Sequence, residues 1–360
     1  MRSQRPAGDR RVTLTMYPIR LPLRDPFTIS RGTITHQDSL VVALEHGGIT
    51  GYGEVTANDY YGHTLSAMSD ALKSLSEDDL AMCCEHPPEN HWQRLSEQLG
   101  GDMFSLSALD MASHDWHARS SGSTLWHYWG LTWNPDLQSS FTIGIDSMEE
   151  MRRKLDADSG WDLYKIKLGT EYDLEIIRQL RQCTTATFRV DANCAWSAQQ
   201  TIDYSKELRH LGVQFIEQPL PRSADPADKQ RVFEESSLPI IADEDCQTEA
   251  DLKTCFEFFH GINVKLCKCG GLTPARKMLT EAKRHGKLTM VGCMVESPIG
   301  ISGAAQLAPL LDFADLDGAN LISDSPAHGV EVMRGHLKLP VQLGTGAELV
   351  PTALPHFLIQ

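Results

Sequence analysis

Between about residues 136 and 325, short apolar runs alternate eight times with segments of helical length. The runs are FTIGI, LYKIKL, TFRVDA, QFIEQ, PIIADE, INVKL, LTMVGC and DFADLD, and helical patterns such as YDLEIIRQLRQ separate most of them. Such alternation is typical of a β/α barrel, because each parallel strand needs a crossover helix to return the chain. No long amphipathic helix follows the eighth run. The pattern therefore predicts an α/β fold, a (β/α)7β barrel.

Residues 12–135 have a different pattern, in which strands come first and helices follow. VTLTMYPIRLPL and SLVVALEHGGITGYGEV indicate strands with a glycine-rich turn, and helical periodicity follows at about 63–75 and 107–119. This pattern predicts an N-terminal α+β domain over residues 12–135, with the barrel over 136–325. We expect the tail, residues 326–360, to return to the N-terminal domain.

The charge and the cysteines of the chain limit its partners and its compartment. The net charge is −15 over 360 residues, without an acidic block, so nucleic acid and anionic membranes are not expected as partners. No apolar segment suits a signal peptide or a membrane span. The nine cysteines are scattered without a zinc-site pattern, which favours a reduced, cytoplasmic protein. The oligomeric state stays open, and a homo-oligomer is compatible with the sequence.

Charged residues stand at the C-terminal ends of the predicted strands, where β/α barrels build their active sites. The steps from Lys167 through three acids to Lys268 are 24, 26, 26 and 25 residues, one βα unit each. The three acids are Asp191, Glu217 and Asp243. Strands two and six are opposite in a ring of eight, so we expect Lys167 and Lys268 to face each other across the mouth of the barrel.

The three acids on successive strands would repel one another unless a cation lay among them. A single acid at a strand end often caps the next helix, but three in successive units between opposed lysines favour a metal site. Hard carboxylate oxygens with room for water suit Mg²⁺. The sequence therefore predicts that Asp191, Glu217 and Asp243 bind Mg²⁺.

Two lysines of YKIKLG lie two residues apart, so a strand directs both to the barrel interior. An unpaired lysine in that interior is costly unless it has a function. We therefore predict that Lys167 acts as a base and that Lys165 beside it contacts the substrate.

These motifs, in this order, resemble the enolase superfamily in its muconate-lactonising branch. The matching residues are K-x-K in KIKLG, D-A-N in DANCAW, E-Q-P in IEQPL, A-D-E in IADED and K-x-x-K-x-G-G in KLCKCGG. DPFTISRGT and GYGEV resemble the N-terminal capping domain of that branch. The resemblance implies removal of a proton beside a carboxylate, with lysine bases and an enediolate stabilised by a metal ion. It assigns the two acid/base roles to Lys167 and Lys268.

Asp315 and Asp317, in FADLDGANL, resemble the D-x-D motif with which dipeptide epimerases of this branch hold the substrate's ammonium group. The resemblance thus implies epimerisation of a dipeptide of the L-Ala-L-Xaa type, such as L-Ala-L-Glu. Asp-Gly at 317–318 is also a common turn pair, and GANL departs from the Gly-Pro-Leu-Leu-like run of those relatives. Thr142 on the first strand and Arg31, in the loop that closes over the mouth in this branch, are further candidates for substrate contact.

Two alternatives remain open at this point. Muconate cycloisomerases and o-succinylbenzoate synthase-like lyases share the lysines and metal ligands, but their substrates carry no cation for Asp315 and Asp317. A non-catalytic binding barrel is the second alternative. It predicts the loss of at least one lysine or metal ligand, and all five are present.

Overall fold

The computed structural model describes residues 11–359. Its first unit is a three-stranded antiparallel sheet followed by helices, which is the predicted order. The strands are β1 (Thr13–Ile29), β2 (Gly32–His46) and β3 (Ile49–Thr56), and the helices are α1 (Leu65–Lys73), α2 (Glu77–Glu85), α3 (Pro88–Gln98), α4 (Met103–Ser120) and α5 (Leu125–Tyr128). The periodicity at 63–75 and 107–119 corresponds to α1 and α4, whereas the other three helices are not evident from it.

Two glycines of the GYGEV motif allow α4 to pack directly on the sheet. A Cβ atom on Gly53 would lie 2.0 Å from the backbone oxygen of Ala108, and one on Gly51 would lie 2.2 Å from that of Ala112. Both distances are far below van der Waals contact. Glycine is therefore required on this face of β3, because the helix backbone approaches the strand too closely for any side chain.

The second unit is a sheet of eight parallel strands that follow one another in chain order. The strands are β4 (Phe141–Ile143), β5 (Leu163–Lys167), β6 (Thr187–Asp191), β7 (Val213–Glu217), β8 (Ile240–Ala242), β9 (Gly261–Val264), β10 (Leu288–Gly292) and β11 (Phe313–Asp315). Ser139 bridges to Ala314 and so joins the first edge of the sheet to the last. The predicted (β/α)7β barrel with an N-terminal α+β unit is confirmed.

Helices cover the outside of the barrel, one or two after each of the first seven strands. They are α6 (Met148–Ala157), α7 (Asp173–Arg181), α8 (Ala198–His210), α9 (Pro226–Glu235), α10 (Leu252–Phe258), α11 (Leu266–Cys269), α12 (Leu272–Arg284) and α13 (Pro298–Ala305). The eighth strand is followed by a single 3₁₀ turn, Gly318–Asn320. The chain thus lacks a long eighth helix over its described residues, as the sequence predicts.

The interior of the barrel is filled by side chains in layers. Arg189 lies deep inside, with its guanidinium carbon 5.3 Å from the ring centre of Phe215 and 4.9 Å from that of Phe313. Successive residues of a strand alternate between its two faces, so the residue two positions further on points to the same interior. On the strands that carry Arg189, Phe215 and Phe313, the residues two positions later lie at the mouth of the barrel; they are Asp191, Glu217 and Asp315.

The C-terminal segment forms four short strands and then runs along β1. The strands are β12 (Ala327–His328), β13 (Glu331–Met333), β14 (His336–Lys338) and β15 (Glu348–Leu349). Leu358 bridges to Ile19, and the Arg20 amide donates a hydrogen bond to the Phe357 carbonyl at 2.8 Å. Over residues 11–359, no helix combines the length and the apolarity that a membrane crossing would need.

Candidate active site

A cavity of about 530 Å³ lies at the mouth of the barrel, beneath the first unit. The first unit contributes a mixed wall, in which apolar and aromatic residues lie among polar ones such as Arg31 and His36; the former include Phe27, Ile29, Ile34, Tyr60 and Tyr61. The barrel contributes a polar floor that includes Thr142, Lys165, Lys167, Asp243, Lys265, Asp315 and Asp317. A polar floor under a partly apolar wall suits a site that binds a small organic ion.

The three predicted metal ligands form one buried cluster on this floor. Asp191 and Glu217 end adjacent strands and are register partners, and Asp243 directly follows the next strand. One carboxylate oxygen from each residue lies within 4.8 Å of the others. Burial, followed by the charge of Asp191, raises the pKa of Glu217 to about 7. The neighbouring side chains alone therefore do not fully balance the negative charge of these three carboxylates.

A divalent cation fits this cluster. All three carboxylates are almost inaccessible to solvent, and hard oxygen donors on three successive strands match the preference of Mg²⁺. Glu217 Oε2 has no partner in hydrogen-bond geometry among the described residues, although Lys165 Nζ lies 2.8 Å away. A buried carboxylate oxygen without a hydrogen bond is expected where a metal ion takes the place of the donor.

Lys165 connects the carboxylate cluster to the far side of the cavity. Its Nζ lies 2.8 Å from Glu217 Oε2, 2.8 Å from Asp315 Oδ2 and 3.2 Å from Asp191 Oδ2. Burial lowers the pKa of Lys165, but the three carboxylates raise it by more, so the net pKa is well above its ordinary value. Lys165 is therefore held as a cation that serves charge balance.

Lys167 and Lys265 line the cavity from opposite strands. Lys167 ends β5, and its Nζ lies 2.7 Å from Asp191 Oδ2. Lys265 directly follows β9, the strand four positions further around the ring, and its Nζ lies 2.9 Å from Asp243 Oδ2. The Asn263 side chain reaches Glu217 Oε1 inside the barrel at 2.9 Å, so Lys265, two residues later, points to the same interior.

Lys268 occupies a different place from the one the βα spacing suggests. It lies in the helical turn α11 after β9, and its Nζ donates to Asp243 Oδ1 and to the Asp243 carbonyl, both at 2.6 Å. Its side chain is 1% exposed, against 10% for Lys265, and it is not among the described residues that line the cavity. Lys265 therefore lines the cavity, whereas Lys268 lies outside it and holds Asp243 by hydrogen bonds.

Asp315 and Asp317 lie beside the first strand but have different partners. Asp315 pairs with Lys165 and also accepts a hydrogen bond from Ser140 Oγ at 2.7 Å. Asp317 accepts hydrogen bonds from the Thr142 amide at 2.6 Å and from Thr142 Oγ1 at 3.2 Å, both uncharged donors. Burial, followed by the charge of Asp315, raises the pKa of Asp317 to about 7. Asp317 is thus the acid of this pair that a bound cation would stabilise most.

Arg31 reaches into the site from the loop between β1 and β2. Its Nη1 lies 3.0 Å from Glu244 Oε1, and its guanidinium carbon lies 4.3 Å from the centre of the Tyr60 ring. Glu244 follows the predicted metal ligand Asp243. The pattern of strand ends does not single out Glu244, because its partner lies 213 residues away.

Two family models together cover most of the chain. Residues 147–353 match the model described as enolase C-terminal domain-like. Residues 11–130 match the model of the N-terminal domain of mandelate racemase and muconate lactonizing enzyme. The chain belongs to the mandelate racemase/muconate lactonizing enzyme family of the enolase superfamily.

Relatives within this family point to one kind of activity. An L-Ala-D/L-amino acid epimerase from Flavobacterium johnsoniae is 44% identical over 333 residues, which is 92% of this chain and 97% of the relative. The L-Ala-D/L-Glu epimerase of Escherichia coli is 32% identical over 91% of this chain and 99% of its own. A Methylococcus capsulatus dipeptide epimerase, solved with Mg and L-Arg-D-Lys, superposes with a TM-score of 0.81. It is 30% identical, and the match covers 94% of this chain and 99% of that one.

Membership of the enolase superfamily gives the site geometry a chemical context. The superfamily stabilises an enediolate with a metal ion after a lysine or histidine has removed a proton. In this chain Asp243, Lys167, Lys265 and Asp317 line one cavity, and Asp191 and Glu217 are buried next to Asp243. These are the parts that such a reaction requires.

Proposed function

We propose that this protein is a metal-dependent dipeptide epimerase. It moves a proton at the α-carbon of the C-terminal residue of an L-Ala-Xaa dipeptide and so interconverts the L and D forms of that residue. The observation that carries the proposal is the placement of two lysines, Lys167 and Lys265, on opposite strands of a cavity that also holds an acidic cluster and Asp317. Two relatives that align over more than 90% of this chain are named as epimerases of such dipeptides.

The carboxylate of the substrate is assigned to the metal side of the cavity. Asp191, Glu217 and Asp243 would hold Mg²⁺. When bound, this ion supplies positive charge that stabilises the enediolate and offsets the carboxylate charge acting on the lysines. Lys165 contributes a second fixed positive charge at the same place, because three buried carboxylates keep it protonated. Both charges attract the substrate carboxylate more strongly in this buried site than they would in water.

The two bases are assigned to Lys167 and Lys265. Each addresses one face of the planar enediolate, so one removes the proton from the L isomer and the other returns a proton from the opposite side. The spacing of the strand ends indicates Lys268 for the second role. We favour Lys265 because it lines the cavity, whereas the Lys268 ammonium group donates hydrogen bonds to Asp243.

The ammonium group of the dipeptide is assigned chiefly to Asp317. Asp315 is already neutralised by Lys165, whereas the contacts of Asp317 among the described residues are with the uncharged donors of Thr142. A charge-assisted hydrogen bond to a substrate cation satisfies such a buried acid. Muconate and succinylbenzoate bring no cation, so this buried acid favours a dipeptide over the substrates of the cycloisomerase and synthase branches.

The reaction is further proposed to take place in the cytoplasm. All nine cysteines are free thiols, and six of them are buried. A reducing compartment preserves such thiols.

The proposal is tested by incubating an L-Ala-L-Xaa library with the protein and Mg²⁺ in D₂O. Epimerisation predicts a mass gain of one deuterium in the C-terminal residue, together with formation of its D isomer. Ring closure or loss of water from a muconate- or succinylbenzoate-type acid, without exchange in any dipeptide, would support the alternative branches. Absence of exchange in every substrate, with metal binding intact, would support a binding protein.

A further inference from the structure

The orientation of a dipeptide in the cavity follows from the proposed function, on which this inference rests. The ammonium group lies at Asp317, after the eighth strand, and the carboxylate lies at the metal cluster on strands three to five of the barrel. The C-terminal residue of the substrate is therefore the one near Asp243. We infer that its side chain points away from the floor, toward the wall on the Asp243 side of the cavity.

Arg31 and Tyr60 line the cavity on this side together with Asp243, and the buried Glu244 pairs with Arg31. Glu244 follows Asp243 directly, and its carboxylate binds the Arg31 guanidinium at 3.0 Å. The Glu244 side chain is only 1% exposed, whereas that of Arg31 is 32% exposed. The exposed ring of Tyr60 covers the other side of the guanidinium at 4.3 Å. The Arg31 guanidinium, which lines this side of the cavity, is thus already paired with the protein's own acid.

A substrate carboxylate in this position meets two unfavourable effects. It must compete with Glu244 for Arg31, and success would leave the Glu244 carboxylate buried without its partner, which is costly. One oxygen of that carboxylate, Oε2, already lacks a hydrogen bond among the described residues. Without displacement, the substrate carboxylate lies close to a buried acid of the same sign, which is also unfavourable.

An uncharged side chain meets neither cost. The wall above the floor includes the apolar and aromatic residues Phe27, Ile29, Ile34 and Tyr60, which can contact such a side chain, among polar residues such as His36 and Gln37. We propose that Glu244, by holding Arg31, is a specificity-determining residue that makes the enzyme prefer uncharged C-terminal residues to acidic ones. An acidic dipeptide is then a poorer substrate than its neutral isostere.

The test compares L-Ala-L-Gln with L-Ala-L-Glu, which have nearly the same shape and differ in charge. For the wild-type protein, kcat/KM favours the glutamine dipeptide by at least about tenfold. Glu244→Gln releases Arg31 for the substrate, and the ratio shifts toward the glutamate dipeptide by at least about tenfold. Arg31→Met leaves the Glu244 charge unpaired, so its ratio stays in favour of glutamine or moves further that way.

A matched control is Glu257→Gln, which makes the same change in net charge at an exposed position of α10. It leaves the ratio at the wild-type value. A wild-type preference for L-Ala-L-Glu that disappears in Arg31→Met would overturn the inference, because Arg31 would then bind the substrate acid directly. Equal use of both dipeptides would also overturn it, and the proposed function would stand. Only the absence of deuterium exchange in every dipeptide would contradict both the inference and the proposed function.

Discussion

Asp191 and Glu217 stand side by side as register partners at the ends of two parallel strands, and neither carboxylate is accessible to solvent. Two buried acids so close together are stable only if positive charge is shared between them. Lys165 supplies part of that charge, and the proposed Mg²⁺ supplies the remainder. The developing enediolate also requires positive charge at this position. The cations that stabilise the buried acids in the folded protein would therefore also stabilise the enediolate.

Removal of the metal is expected to abolish epimerisation. Protein treated with EDTA should lose activity and regain it when Mg²⁺ is added, because the substrate carboxylate loses its main counter-charge. Glu217→Gln should weaken Mg²⁺ binding by at least about tenfold, measured by titration calorimetry. Glu257→Gln serves as the control and should bind Mg²⁺ like the wild type. Full activity after complete removal of the metal would show that the cluster has another role.

Asp317→Asn is expected to raise KM for free dipeptides by about tenfold or more, because it removes the charge that pairs with the ammonium group. Asparagine can still accept the hydrogen bond from the Thr142 amide, so the loop is preserved. The control is a substrate in which the ammonium group is absent, such as a propionyl amino acid. Its kinetics should change little between the two proteins. An equal loss for both substrates would indicate a structural role for Asp317.

The dependence of activity on pH provides a separate check on Asp317. Burial and the charge of Asp315 raise its pKa to about 7, so the carboxylate becomes protonated as the pH falls below that value. The protonated acid attracts the substrate cation less strongly. In the wild-type protein, kcat/KM for a dipeptide should fall below pH 7, by up to about tenfold per pH unit. Asp317→Asn should lose this acidic limb, and its persistence with the same midpoint would assign the limb to another group.

The sequence predicts the barrel and most of the site because both depend on local patterns. Period-two alternation and the regular βα spacing place Asp191, Glu217 and Lys167 at the same end of the barrel, and the structure has them there. The spacing indicates Lys268 over Lys265, because a step of 25 residues continues the series. Asn263 points into the barrel, so the period-two alternation of side chains along β9 directs Lys265, two residues later, to the same interior. Lys268 lies in the helical turn that follows β9, where this alternation no longer applies.

Contacts between distant parts of the chain are what the sequence does not reveal. The pair of Arg31 and Glu244 joins a loop of the first unit to the barrel across 213 residues, and no local period relates them. Asp315 likewise receives Lys165 from 150 residues away, which distinguishes its role from that of Asp317. Such pairings depend on how the first unit sits over the mouth and on the closure of the barrel.

Glu54 connects the first unit to the barrel, and its loss should destabilise the fold. Its carboxylate accepts hydrogen bonds from the Ser297 amide at 3.0 Å, the Ser297 hydroxyl at 2.6 Å and the Gly300 amide at 2.9 Å, at the start of α13. Glu54→Gln should lower the free energy of unfolding by roughly 1.5–3 kcal/mol, since the bonds to a charged group are lost. The exposed Glu45→Gln should change it by less than about 0.5 kcal/mol. Denaturant titration of both variants measures the difference, and equal stability would contradict the role assigned to Glu54.

Lys167 and Lys265 are proposed to serve opposite faces of one substrate. This assignment of the two bases is tested most directly by following both isomers of one dipeptide in D₂O with Lys167→Ala, Lys265→Ala and Lys268→Ala. Lys167→Ala and Lys265→Ala should each abolish net epimerisation, and each should still exchange the α-proton of one isomer, a different one in the two variants. Lys268→Ala should keep exchange in both isomers, at a rate reduced through its effect on Asp243. Epimerisation that persists in Lys265→Ala but stops in Lys268→Ala, with exchange confined to one isomer, would contradict this account and return the second base to Lys268.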